Sequence, residues 1–209
     1  MDCFNLEESK DKYETILGIE VQHDLKWTVY ISNLRKKLSK RITGIYKIRK
    51  ILPFQTLKII TEGWFNSVLA YCLPSFGGCD VSDINDLQVL QNKVARLITF
   101  SESRTPRIHM FEKLQWLSGN QLIFYHTVLT VYRIRQSEEP EYLASKLTMD
   151  NRNGRIIIKQ SNLTLYRRSF LYRGVQSWNI LPARIRCQYS MNSFKREVKI
   201  WIMDNIERF

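Results

Sequence analysis

Apolar residues recur at helical spacing along most of this chain. Ile31, Leu34, Leu38, Ile42, Ile45 and Leu52 follow one another at intervals of three, four and seven. That stripe predicts one helix of about 24 residues, ended by Pro53. A second helix is expected over 55–72, with Leu57, Ile60, Trp64, Val68 and Tyr71 on its inner face, and 73–78 reads as a turn. A third helix is expected to start at Ser82 as N-cap, with Asp83 in the first turn. It would use Ile84, Leu87, Leu90, Val94 and Leu97 as its core face and turn Gln91, Asn92, Lys93 and Arg96 to its other sides. Arg104-Thr105-Pro106 opens a further helix with Ile108, Phe111 and Leu114 inward, and Ser118-Gly119 separates it from a helix over 121–135 built on Leu122, Tyr125, Leu129 and Tyr132. Residues 138–141 read as a linker or the start of a short helix. A helical return is expected at 174–180, and a last helix over 193–205 with Phe194, Val198 and Trp201 on its core face.

Extended structure is expected in two places. Residues 15–21 are rich in β-branched side chains, and Gly18 permits a bend. Residues 155–159, after a turn at 151–154, read as a short strand. The sum is a mainly α fold: a bundle of about six to eight helices, a short N-terminal strand segment and a small β element near 155–165. The chain divides into an acidic leader (1–14), a first helical unit (15–100) and a C-terminal helical unit (101–209) carrying the basic segment 151–196.

Charge sharpens this picture. The 209 residues hold 32 Lys+Arg against 20 Asp+Glu, a net charge of +12. Such a balance favours polyanionic partners, nucleic acid before an anionic membrane. The charge is also blocked. Residues 1–24 carry seven acids, but 25–61 carry none and hold ten basic residues, among them Arg35, Lys36, Lys37, Lys40, Arg41, Lys47 and Lys50. Residues 151–196 are again acid-free with ten basic residues, among them Arg167, Arg168 and Arg173. Two such blocks around a balanced middle suggest a bipartite phosphate-binding surface, where one run alone would read as a solvated face. In the second block Tyr166-Arg167-Arg168-Ser169-Phe170-Leu171-Tyr172-Arg173 interleaves rings and cations, a mixture suited to base stacking with phosphate contact, or to an amphipathic segment with its rings in the core.

Catalytic chemistry finds little footing. Cys3, Cys72, Cys79 and Cys187 form no C-x-x-C pair and read as free thiols of a reducing compartment. His23, His109 and His126 lie far apart, so no zinc motif or other cofactor site emerges. No P-loop, G-x-G-x-x-G or G-x-S-x-G motif occurs. Gly77-Gly78 reads as a plain turn. Asp80, Asp83 and Asp86 sit at three-residue spacing and read as N-terminal capping and dipole compensation rather than as a metal cluster. The opening residues lack the positive start and apolar run of a secretory signal, and no stretch approaches a membrane span, so an intracellular, non-secreted protein with no membrane partner is expected.

Several short motifs, in order, carry a resemblance. Leu17-Gly18-Ile19, Leu25-x-Trp27, Ile31, Lys37-Leu38 and Arg49-x-x-Leu52-Pro53 form the first string. Ser67-x-Leu69-x-Tyr71, Phe76-Gly77 and Leu87-x-x-Leu90-Gln91-Asn92-Lys93-x-x-Arg96-Leu97-Ile98 continue it. Arg167-Arg168-Ser169-Phe170, Trp178-Asn179-x-Leu181-Pro182-x-x-Ile185 and Phe194-Lys195 close it. The string resembles the region after the palm in reverse transcriptases of non-LTR (LINE, jockey-like) retrotransposons, across about residues 13–205. It departs from the family at Gln22, Tyr30, Cys72 and Phe76. The resemblance implies that 15–100 is the end of a palm strand plus a thumb-like unit, that the helix of Ile31–Leu52 faces a template–primer duplex, and that the catalytic aspartates belong to a palm N-terminal to Leu17.

The function expected is therefore a non-catalytic nucleic-acid-binding module with no cofactor. It would cradle RNA or an RNA–DNA duplex without sequence preference through Arg35, Lys36, Lys37, Lys40, Arg41, Lys47, Lys50, Lys93, Arg96, Arg167, Arg168 and Arg173. A palm and fingers portion is a second candidate partner. Two alternatives stand beside this reading: a fragment of an RNA-directed DNA polymerase that needs its palm, and a structural or interaction domain whose charge serves solubility.

Overall fold

The computed structural model of the chain describes residues 13–24, 26–150, 154–157 and 162–209. Most of the acidic leader, the turn at 151–153 and the Ile158-Lys159 end of the second expected strand lie outside them. The fold is mainly helical, with a small antiparallel hairpin at the N-terminus and a second one inside the C-terminal half.

The segment read as one extended run is a hairpin. Strands β1 (Tyr13–Ile16) and β2 (Ile19–Gln22) pair from Tyr13↔Gln22 to Ile16↔Ile19. A two-residue turn joins them, with φ of 51° at Leu17 and 78° at Gly18. Positive φ at both central positions matches the right-handed twist of paired strands. The Tyr71 hydroxyl holds the tip by donating to the Leu17 carbonyl at 2.8 Å. At the other end, the Gln22 side-chain oxygen accepts from the Thr28 hydroxyl (2.8 Å) and the Val29 N–H (3.1 Å), satisfying a free donor at the start of helix α1 (Thr28–Ile48).

Helix α1 buries Ile31, Leu34, Leu38 and Ile45, as its stripe predicts. It stops at Ile48, however, and Pro53 instead precedes helix α2 (Phe54–Thr61), where its missing N–H costs nothing. Helix α2 passes through a π-helical turn (Glu62–Asn66) into α3 (Ser67–Ala70). Here the expected inner face is corrected. Leu57, Thr61, Phe65 and Leu69 are buried, whereas Trp64 and Tyr71 are exposed. Four residues at about 100° each overshoot a full turn by about 40°, so a strict four-residue repeat drifts around an ordinary α-helix. The wider π turn offsets that drift and returns Phe65 and Leu69 to the core side.

Residues 73–78 hold a short helix, α4 (Leu73–Phe76), before the glycine pair. Helix α5 (Val81–Thr99) starts two residues earlier than expected: Asp80, not Ser82, is its N-cap. It buries Leu87, Leu90, Val94, Ala95 and Ile98. It also buries Gln91, at 1% exposure, where the periodicity placed a solvent-facing residue. Helix α6 (Arg107–Leu114) buries Met110, Phe111 and Leu114 and turns Ile108 outward. These elements share one core running from Ile19 to Trp116, so α6 joins the first unit.

A second core runs from Leu117 to Ile202. Helix α7 (Gly119–Ser137) opens with a capping box in which Ser118 and Gln121 each receive the other's backbone N–H. It packs on α4 and α5 on one side. On the other it meets α10 (Phe170–Ile180) and α12 (Met191–Asp204). Between α7 and α10 come α8 (Glu141–Ala144), strands β3 (Met149–Asp150) and β4 (Arg155–Ile156), and α9 (Thr164–Arg168). Helix α11 (Ala183–Arg186) links α10 to α12. Trp178 sits at the centre with no exposed surface, stacked on Phe194 at 5.8 Å, under the Arg135 guanidinium at 4.7 Å, and donating to the Gly154 carbonyl at 3.2 Å.

A polar seam joins the two cores. Gln88 Oε1 accepts from the Gly119 N–H at 2.7 Å, Gln88 Nε2 donates to Asn92 at 2.8 Å, and Gln91 Nε2 donates to the Leu117 carbonyl at 2.9 Å. Buried amides with their partners in place fix the register of α5 against α7. Among the described residues, no helix is long and apolar enough to cross a membrane.

Candidate nucleic-acid interface

Helices α1 and α5 lie side by side and run in the same direction. Arg35 meets Asp86 near their N-terminal ends at 2.8 Å, and residues 42–49 face residues 93–101 near their C-terminal ends. Acids gather at the first end: Asp80, Asp83 and Asp86 all stand in or before the early turns of α5. From Leu87 to Ser101 there is no acid, and α1 has none at all. The pair is therefore polarised, acidic at one end and basic at the other.

Lys36, Lys40 and Lys47 are exposed and lie within about 40° of one another around α1, opposite the buried Leu34, Leu38 and Ile45. They form a stripe roughly 16 Å long. Lys37 is exposed on the neighbouring flank, and Lys50 in the turn that follows. None of these five lysines, nor Lys93, makes an ion pair with a described residue. Arg35 and Arg41 are used differently. Arg35 is taken by Asp86, and Arg41 donates to the Trp64 carbonyl with its guanidinium 5.9 Å from that ring.

Beside the stripe, the C-terminal ends of α1 and α5 enclose an open cavity of 560 Å³. Lys93 and Arg96 line it from α5 and Arg49, a member of the motif string, from the end of α1, together with two residues that periodicity and motif spacing do not single out: Tyr46 and Phe100. The Arg49 guanidinium lies 5.1 Å from the Tyr46 ring and 5.3 Å from the Phe100 ring, and its buried Nε–H finds no acceptor among the described residues. Tyr46 and Phe100 remain more than half exposed. Phe100 ends α5 at φ 55°, ψ 30°, where glycine is the usual residue. A bulky residue in that conformation costs roughly 1–2 kcal/mol. The signal available in the sequence was an aromatic at the end of a helix where a small residue is expected.

The second basic block lies at the acidic end, and two of its three expected site residues make internal bonds. Arg168 pairs with Asp80 at 2.8 Å. Arg173 donates through Nη2 to the Pro74 carbonyl at 2.6 Å and through Nε to the Arg168 carbonyl at 3.0 Å. The glycine pair is required here. A Cβ on Gly78 would stand 2.2 Å from the Arg168 carbonyl oxygen, and one on Gly77 would stand 2.9 Å from Arg173 Nη1. Arg167 is exposed on α9 and has an interaction partner of its own. Tyr166 and Tyr172, read either as stacking platforms or as rings of an amphipathic segment turned to the core, are half-buried and meet edge to face at 5.7 Å. The structure thus gathers Lys93 and Arg96 at the cavity, sets Lys36, Lys40 and Lys47 along one exposed face of α1, and leaves Arg168 and Arg173 tying α9 and α10 to the turn before α5.

Titration follows these surroundings. Burial raises the Asp83 carboxyl, with Asp80 and Asp86 adding to the shift and Arg35 opposing it. Burial pushes the Cys79 thiol up to about 12, helped by Asp83. Burial lowers the Arg173 guanidinium. Among the described residues, no group of three His, Cys, Asp or Glu side chains is placed to hold a metal ion. No protein-family model, curated protein or solved structure matches the chain.

Proposed function

We infer that the chain is a nucleic-acid-binding helical module that engages RNA or an RNA–DNA duplex through the basic end of α1 and α5. The reading keeps the resemblance of the motif string to the post-palm region of non-LTR reverse transcriptases and assigns no catalytic step to this chain. One observation carries it: the exposed, acid-free lysine stripe Lys36–Lys40–Lys47 beside a cavity lined by Lys93, Arg96, Arg49 and two exposed rings. Helix dipoles account for part of this charge, because Lys47, Arg49 and Arg96 stand at C-terminal ends where cations are favoured. Lys36, Lys37 and Lys40 stand in mid-helix, beyond the reach of that effect. Phosphates repeat every 3.4 Å along one strand, so a stripe of roughly 16 Å spans about five of them.

The test is a salt titration of binding to an RNA–DNA hybrid. Five phosphate contacts give a log–log slope of about −4.5 and roughly a 500-fold loss of affinity between 50 and 200 mM salt. Replacing Lys36, Lys40 and Lys47 together by Gln reduces the slope to about −1.8 and weakens binding roughly 500-fold at 0.1 M. An unchanged slope in that variant removes the stripe from the interface. No binding by the unaltered protein removes the function.

A further inference from the structure

The cavity between the C-terminal ends of α1 and α5 holds more than positive charge. Its 560 Å³ falls within the range of about 300–1,000 Å³ that small-ligand sites occupy. Tyr46 and Phe100 line it with 57% and 56% of their surfaces exposed. The Arg49 guanidinium meets both rings, at 5.1 and 5.3 Å. A cation over one face of a ring leaves the other face for a flat partner, and a guanidinium plane is itself a stacking surface for a base.

Phe100 is held here against its own backbone preference. Helices α5, α6 and α7 all end on a left-handed residue, and α6 and α7 use Gln115 and Glu138. Only α5, of these three, places an aromatic ring at that position, and the ring stays out of the core. A bulky side chain kept in a strained conformation without burial points to a use other than packing. The cations are also free of counter-charge. Arg49, Lys93 and Arg96 make no ion pair with a described residue. Glu102, the nearest acid in sequence, gives its backbone carbonyl to Arg96 Nε at 3.2 Å.

An intact duplex cannot use such a site fully. Its phosphates are on the outside, but the faces of its bases are covered by their neighbours. An unpaired base exposes its face, and stacking on an aromatic ring is open to any base. Tyr46 directly precedes Lys47, the last lysine of the stripe, so a strand running along α1 arrives at the cavity where the helix ends. We propose that the cavity takes an unpaired nucleotide at the end of a duplex, its base on Tyr46 and Phe100 and its phosphate on Lys93 and Arg96. This rests on the nucleic-acid-binding function inferred above and adds to it a preference for a duplex that carries a single-stranded end.

Binding to three RNA–DNA hybrids tests it: a blunt one, one with a short overhang of adenines, and one with an abasic overhang of the same length, each overhang made in both polarities. The adenine and abasic overhangs carry equal phosphate charge, so their ratio of affinities isolates the base. The unaltered protein is expected to bind the adenine overhang roughly 5- to 150-fold tighter than the abasic one in at least one polarity, the range that stacking of one base supplies. Phe100→Gly suits the left-handed backbone and Tyr46→Ala suits a helix, so both variants are expected to fold, and each is expected to bring the ratio close to one. Gln in place of Lys36, Lys40 and Lys47 weakens binding to all three hybrids and keeps the ratio. Equal affinity of the unaltered protein for adenine and abasic overhangs, with salt-sensitive binding of the blunt hybrid intact, overturns this site and leaves the function standing. A base advantage that survives both ring variants also overturns it. Absence of binding to every hybrid removes the function and this site together.

Discussion

Arg173→Ala distinguishes a phosphate contact from a structural tie. The sequence pattern puts Arg173 in a basic, aromatic-rich surface, whereas the structure has it bonding the Pro74 and Arg168 carbonyls, with Gly77 and Gly78 leaving room for its side chain. Hydrogen bonds from a charged donor contribute roughly 1.5–3 kcal/mol each. The cost of burying the guanidinium, visible in its lowered pKa, offsets part of that. A net destabilisation of about 2–3 kcal/mol follows. With a urea m-value near 2 kcal/mol/M, the unfolding midpoint falls by about 1 M. The companion assay is the salt titration with an RNA–DNA hybrid, in which the slope of Arg173→Ala stays at its unaltered value. The reasoning is refuted if the midpoint holds while the slope loses about 0.9, the contribution of one phosphate.

Other consequences follow from the same contacts. Trp178→Ala removes a fully buried ring, its stack on Phe194 and its bond to Gly154, and is expected to cost about 3–5 kcal/mol in the same urea experiment. Asp83→Asn is expected to stabilise the protein at neutral pH. The raised native pKa means that the folded state binds a proton more readily than the unfolded one, so stability falls as pH rises from the ordinary aspartate value of 3.8 through the native value. The variant's advantage in melting temperature therefore vanishes at pH values below 3.8, and an advantage that persists there contradicts the assignment. Alkylation followed by mass spectrometry is expected to label the exposed Cys187 quickly at pH 8 and Cys79 slowly, because burial holds the Cys79 thiol at about 12.

Much of this fold is legible in periodicity because its helices are amphipathic. The stripe from Ile31 to Ile45 marks α1 clearly, since polar residues fill the rest of its circumference. The same method misplaces the inner face of 54–70, where apolar residues occur on several sides and a π turn changes the repeat. Gln91 and Gln88 are invisible to it because a buried amide reads as polar, and only the loop at 117–119 supplies its partners. The candidate interface is legible by half. Charge blocking finds the lysines of α1, because local exposure follows from helix position. It cannot tell Lys36 from Arg173, since the Pro74 and Arg168 carbonyls that occupy Arg173 come from tertiary contact. Arg49, Tyr46 and Phe100 are brought together by the parallel course of α1 and α5, which no local pattern encodes.

Lysine footprinting tests the central claim most directly. The protein is acetylated under limiting conditions with and without an RNA–DNA hybrid at low salt, and each lysine is read by mass spectrometry. The account predicts that Lys36, Lys40, Lys47 and Lys93 lose reactivity on binding, while Lys146, exposed beyond α8 in the second half of the chain, reacts as before. Protection confined to other lysines, or none under conditions where the hybrid is bound, contradicts it.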